Sequence, residues 1–253
     1  MKMYKHSILL CSSYNQGRRI CLHTVGTDDE PFSQLVDKIG DAYDGKRVAF
    51  SVHTIMTDSE DWASVVKSDP YFSDVTVVSC SEMLESLQKD RHLTGAEVAR
   101  YILSMVPCTH TRLEKLTYMC YADYLCSTGE RLFEDTIYAF DHGPVVKSVY
   151  DKYGKLSHER PGELLIGSSD AEIHMNEELR LPLKSRVVFA EDGWDKDMSI
   201  ERTLKRCSKY STSELVEITH RPESPWDVTP KDTPYSVITD ESIKAYHKNE
   251  IDS

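Results

Sequence analysis

The sequence predicts an α+β protein. A small N-terminal α/β sandwich-like domain, residues 1–92, precedes a mostly α-helical domain with a short β element, residues 93–253. Three observations carry this. Apolar residues in the first part alternate with period two in short runs, as half-buried strands require. From Leu93 onward they recur at three- and four-residue spacing, the mark of helices with one buried stripe. Two capping boxes, Thr94-Gly95-Ala96-Glu97 and Ser211-Thr212-Ser213-Glu214, stand where such helical runs begin.

The elements follow in order. His6–Ser12 and Arg19–Val25 are β-rich runs joined by a polar, Gly-containing link, which predicts a hairpin. Asp28-Asp29-Glu30-Pro31 opens a helix with acids at its positive end, and Phe32, Leu35, Val36 and Ile39 form its stripe before Gly40 or Gly45 ends it. Arg47–His53 reads as a strand with Val48, Phe50 and Val52 on its buried face. A short helix over Ser59–Lys67, a strand at Val75–Val78 and a helix over Ser81–Lys89 complete this part.

Helical texture then takes over. Val98, Ile102 and Met105 stripe the helix behind Thr94, and Thr109–Cys126 is a second helix closed by Gly129. Leu132–Phe140 is extended, and Val145–Tyr153 is a third helix with Pro144 at its start, where a missing donor costs nothing. Gly162–Ser185 reads as loop with a short strand. Asp197–Lys209, Glu214–His220 and Asp240–Lys248 are further helices, and Glu223-Ser224-Pro225-Trp226 is a turn that buries its Trp.

Composition bounds the function. The 253 residues are 40% hydrophobic, with 14 Tyr, 6 Phe and 3 Trp, which excludes disorder as the main state. No run of about 18 apolar residues occurs, so no membrane partner is expected and a cytoplasmic location is. The net charge of −12 argues against nucleic acid as a partner, because phosphate binding draws on Lys and Arg. An acidic surface suits a basic protein better.

Catalytic and metal signals are weak. The seven cysteines form no CxxC pair, and reduced thiols are expected. Cys21 and His23 share a strand face, but no further ligands stand at zinc spacing. Asp28-Asp29-Glu30 and Asp58–Asp61 read as a helix start and a solvated turn rather than divalent-cation sites. No GxSxG, GxGxxG or Walker loop is written, so neither an enzyme nor a cofactor is expected. Six tyrosines, at 118, 121, 124, 138, 150 and 153, cluster in a short stretch and could serve as core or as interface anchors.

The second part carries a run of ordered motifs. Arg112-Leu113-Glu114-Lys115-Leu116-Thr117-Tyr118 continues through Tyr121 to Tyr124, followed by Gly129, Leu132-Phe133, Ala139-Phe140-Asp141-His142-Gly143-Pro144-Val145-Val146 and Val149-Tyr150. Leu215–His220, Ser224-Pro225-Trp226 and Ile238–Ile243 come later. This pattern resembles the Panacea domain of SocA-like antitoxins over roughly residues 93–248. The chain departs from the family at Arg112, where Lys is commoner, and at Phe140 and His142, where Trp and Tyr are commoner. The resemblance implies a non-catalytic antitoxin of a type II-like system that neutralises a cognate protein toxin by direct binding. A protease adaptor, or a phage-encoded modulator of a host protein, is the alternative it implies. Lys115, Tyr118, Tyr121, His142, Tyr150 and Trp226 are then the expected partner-binding residues, and Gly143, Pro144, His220 and Pro225 the structural motif. No part of the resemblance reaches residues 1–92.

Overall fold

A computed structural model describes residues 2–42, 49–159, 162–165, 172–174, 180–233 and 235–251. The architecture is α+β, with a strand-rich N-terminal region followed by a mostly helical one. The chain resolves into two compact units. One comprises residues 1–91 with 172–182 and 189–191; the other comprises 92–171, 183–188 and 192–253.

In the first unit β1 (Tyr4–Ser13) and β2 (Arg18–Val25) form the expected antiparallel hairpin. Helix α1 (Glu30–Ala42) and strand β3 (Phe50–Thr57) follow, then α2 (Trp62–Ser68), a 3-10 turn at Pro70–Phe72, β4 (Thr76–Val77) and α3 (Cys80–Arg91). The sheet order is β3-β1-β2-β4, with only the β2–β4 pair parallel.

Alternation sorts the sheet onto two apolar layers. Leu9, Cys11, Ile20 and Leu22 pack on Ile39 of α1 and on Met83 and Leu87 of α3. Ile8, Leu10 and Cys21 pack on Val65 of α2, Phe72 and Val75. Shifting the register by one residue would exchange the two sets, which pins the pairing.

Two expectations here are corrected. Gly40 lies inside α1, which continues to Ala42, while Gly45 falls outside the described residues. Phe50 and Val52 are 42% and 54% exposed, so the supposed buried face of β3 is open, and Ile55 and Thr57 turn inward instead. Arg47 and Val48 are also outside the described residues. Phe50 and Val52 stand opposite Cys11 and Leu9 and share their face, but β3 is an edge strand where that face is left open, so alternation marked the period and the face but not the burial.

The second unit is built around α5 (His110–Thr128), preceded by α4 (Gly95–Met105). Both capping boxes form as expected: Thr94 accepts from the Glu97 N–H and Ser211 from the Glu214 N–H, each glutamate reaching back. Met105, expected in the stripe of α4, is exposed. Gly129 closes α5 in the left-handed region at φ 84°.

Strands β5 (Ile137–Phe140) and β6 (Gly143–Val146) then form a tight antiparallel hairpin around Asp141-His142, and α6 (Lys147–Glu159) begins only after it. The expected strand-to-helix turn at Pro144 is therefore a β-hairpin. Pro144 sits opposite Ala139, whose own N–H donates outward to the Ser236 carbonyl, so the missing proline donor costs the ladder nothing.

The remaining elements are the hairpin β7 (Glu172–His174) and β8 (Arg180–Pro182), then α7 (Leu183–Val188), α8 (Gly193–Cys207), α9 (Thr212–Thr219), α10 (Pro225–Val228) and α11 (Asp240–Tyr246). A 3-10 turn, His247–Asn249, follows α11. Where the sequence suggested a loop up to Ser185, α7 is helical; much of the preceding segment lies outside the described residues. Trp226 stands half-buried on the single turn of α10, which Pro225 starts and the Ser224 hydroxyl caps by accepting from the Asp227 N–H.

Candidate functional site

Helix α5 sets the site because it is buried nearly all round. Its interior positions include Glu114, Lys115, Thr117, Tyr118, Tyr121 and Tyr124 as well as apolar residues. A polar group held away from water destabilises the fold unless it is bonded, so these side chains dictate partners.

On one side they bind the C-terminal segment. The Tyr118 hydroxyl donates to Glu250 Oε2 at 2.9 Å, and Tyr121 donates to Asp240 Oδ1 at 2.6 Å. His247, fully buried, places Nδ1 2.6 Å from Glu250 Oε2 and Nε2 2.8 Å from Asp123 Oδ1. Asp123 also accepts from the Thr203 hydroxyl and the Arg206 guanidinium. Burial opposes charge on the His247 ring, but the bonds to Asp123 and Glu250 outweigh it and hold its pKa above the ordinary value. Burial raises the Glu250 carboxyl.

On another side α5 lines a cavity of about 620 Å³. His110, Glu114 and Lys115 form its polar end. The β5–β6 hairpin contributes Phe140, Asp141, His142 and Val145, α6 contributes Tyr150, and Lys231, Asp232, Thr233 and Tyr235 close the rim. Phe140 meets Tyr150 and Tyr235 edge to face, at ring-centre separations of 5.4 and 5.8 Å. Lys115 is buried, and its Nζ donates to the Pro144 carbonyl at 3.0 Å. Burial pulls its pKa down to about 8, against the raising effect of Glu114 and Glu250.

Gly143 is required twice over. Its φ is +100°, and a Cβ there would lie 2.7 Å from Lys115 Nζ and 2.9 Å from His220 Cε1. His220 Nδ1 lies 2.6 Å from the Val216 carbonyl oxygen, and its Nε2 lies 3.3 Å from that of Asp141. The His220 ring lies 3.9 Å from that of Trp226, whose Nε1–H donates to the Phe140 carbonyl. Lys231 sits over the same indole at 3.9 Å and donates to the Trp226 carbonyl.

Of the residues expected to meet a partner, Lys115, His142 and Tyr150 share this cavity and Trp226 braces its wall. Three of the set are interior residues. Lys115, Tyr118 and Tyr121 are 1%, 0% and 1% exposed, and the two tyrosines point toward the C-terminal segment rather than the cavity. Their helix has no solvent-facing stripe there, so aromatic and charged character did not mean exposure. His110, Glu114 and Tyr235 are not among the expected partner-binding residues. The i,i+4 spacing of His110 and Glu114 was the available signal, since it puts both on one helix face.

Other chemistry-bearing residues are accounted for locally. Burial pushes the Cys11 and Cys21 thiols up to about 12. His23 bonds His6 ring to ring at 2.8 Å, and burial followed by the His6 charge lowers its pKa. Among the described residues no three His, Cys, Asp or Glu side chains converge as a metal site, and no helix is long and apolar enough to cross a membrane.

Part of the helical unit is similar to an antitoxin-type domain. Residues 113–227, from α5 through the Trp226 turn, match the family described as antitoxin SocA-like, Panacea domain. No curated protein and no solved structure matches the chain. An antitoxin family implies a toxin as partner and points to a non-catalytic role.

Proposed function

We propose that the protein is the antitoxin of a type II-like toxin–antitoxin pair and neutralises a cognate protein toxin by direct binding. The match of residues 113–227 to the SocA-like Panacea family is the observation that carries this reading. The net charge of −12 supports a basic toxin surface as the complement, since opposite potentials steer encounter and reject wrong partners. Partner contact falls to the reachable members of the expected set, His142, Tyr150 and Trp226, with the exposed Tyr235 beside them. Lys115, Tyr118 and Tyr121 act from the interior, holding the hairpin and the C-terminal segment in place. Residues 1–92 act as a separate module that selects which toxin is bound.

Co-expression with the adjacent open reading frame tests this. Relief of growth arrest together with a complex stable to size-exclusion chromatography is the expected result. Growth arrest that persists, with no complex formed, would overturn it. Relief in which the toxin disappears without forming a complex would support a protease adaptor instead.

A further inference from the structure

The cavity of the helical unit is lined by two buried polar groups that make no hydrogen bond among the described residues. Glu114 is 2% exposed; its Oε2 accepts from the Val146 N–H at 3.0 Å, but its Oε1 has no hydrogen-bond partner among the described residues. His110 Nε2 lies 3.4 Å from that oxygen and is likewise buried without a hydrogen-bond partner. Lys115 Nζ uses one of its three donors, on the Pro144 carbonyl. A buried carboxylate oxygen and a buried ring nitrogen without a hydrogen bond are each costly, and both belong to residues that line one cavity, where a ligand could complete them.

The remaining walls say what that something looks like. Phe140, Tyr150 and Tyr235 supply aromatic surface, and Ala139 and Val145 supply apolar surface. The volume of about 620 Å³ is in the range of small-molecule sites. At the polar end Glu114 can only accept and Lys115 can only donate, so the complement is a flat group presenting a donor beside an acceptor. The exposed part of the lining holds two acids, Asp141 and Asp232, and one lysine, Lys231, which is already drawn over the Trp226 indole. That lining does not favour a phosphate.

We infer that this cavity binds a neutral planar heterocycle bearing an N–H beside an acceptor, the chemical class of nucleobases and their nucleosides, with the hydrogen-bonding edge on Glu114 and Lys115 and the ring against Phe140 and Tyr235. The ligand adds a binding activity to the protein and does not rest on the antitoxin reading. Stacking on aromatic rings tolerates several bases, and the Glu114–Lys115 end selects among them by the order of donor and acceptor.

Isothermal titration of the full chain with adenosine, guanosine, cytidine and uridine, and with their 5′-monophosphates, tests the inference. Saturable binding of at least one nucleoside is expected, with its monophosphate binding no more tightly. Tyr235→Ala, at a side chain 62% exposed and so not needed for folding, should weaken binding about tenfold through loss of stacking. Glu114→Gln keeps an acceptor for the Val146 N–H and should weaken it by at least as much. Flat titrations across the panel, tighter binding of a monophosphate, or binding that both variants leave within about threefold would each overturn the inference. Toxin rescue is scored separately in cells, so failure of nucleoside binding and failure of the antitoxin reading are read apart.

Discussion

The two units hold themselves together by different means. In the first, strands β1 and β2 present Leu9, Cys11, Ile20 and Leu22 to one layer and Ile8, Leu10 and Cys21 to the other, so the two layers that flank the sheet are apolar, with His6, Arg19 and Asp90 buried outside them. In the second, α5 buries Glu114, Lys115, Thr117 and three tyrosines beside its leucines, and its neighbours answer with Asp240, His247 and Glu250. Apolar layers tolerate changes in conditions and depend on register. A buried polar core depends on each partner being present and, for the ionisable ones, on pH. Helix α5 is therefore more exacting than the sheet layers, and most of it lies in the stretch that matches the family.

The sharpest way to break this contrast is at His247. Replacing it with Phe leaves the Asp123 and Glu250 carboxylates without the cation between them, and urea denaturation should show a loss of about 3–5 kcal/mol near pH 6. The loss should itself depend on pH. The folded-state pKa of His247 is raised above the ordinary 6.5, so its contribution is complete below that pH and fades as pH rises through the folded value. The gap between wild type and variant should narrow accordingly above neutrality.

Leu9→Ala in the sheet should cost about 3 kcal/mol by the same measurement, from lost apolar burial and the cavity left behind. Its cost should stay flat between about pH 6 and 9, because no ionisable partner is disturbed. A pH-dependent loss there would erase the distinction between the units.

Lys115→Met sharpens the comparison from the opposite direction. The folded-state pKa near 8 lies below the ordinary 10.5, so the unfolded chain binds the extra proton between those values. Wild type should gain about 2 kcal/mol relative to the variant as pH rises from about 8 to 10, because each tenfold difference in proton affinity between the folded and unfolded chain corresponds to about 1.4 kcal/mol. Equal slopes for the two proteins would mean that Lys115 is solvated.

The smallest effect concerns a cap. Ser211→Ala removes the hydroxyl that accepts from the Glu214 N–H at the start of α9 and should cost about 1 kcal/mol. Because that interaction is local and exposed, its cost should be insensitive to mutation of His247, and additivity in the double variant checks this.

These contrasts also explain what could be read from the chain. The hairpin of β1 and β2, the acids and proline opening α1, both capping boxes and the glycine closing α5 are local signals, each satisfied within a few residues. Strand β3 shows the limit of such signals: alternation gave its period, but only its place at the sheet edge decided that Phe50 and Val52 would stay exposed. Pro144 shows another, because a proline suits both a helix start and an unpaired strand position, and the Asp141-His142 turn selected the strand.

The sequence by itself determined the α+β class, the helical texture beyond Leu93 and the motifs similar to the Panacea family, since these depend on spacing along the chain. Tertiary structure alone decided which of the motif residues are interior. Tyr118 and Tyr121 became braces for a segment more than a hundred positions away, and Lys115 became the buried end of a cavity shared with His110 and Glu114. The physical reason is that burial and hydrogen-bond satisfaction are properties of all the elements packed around a side chain, and no window of the sequence contains those neighbours.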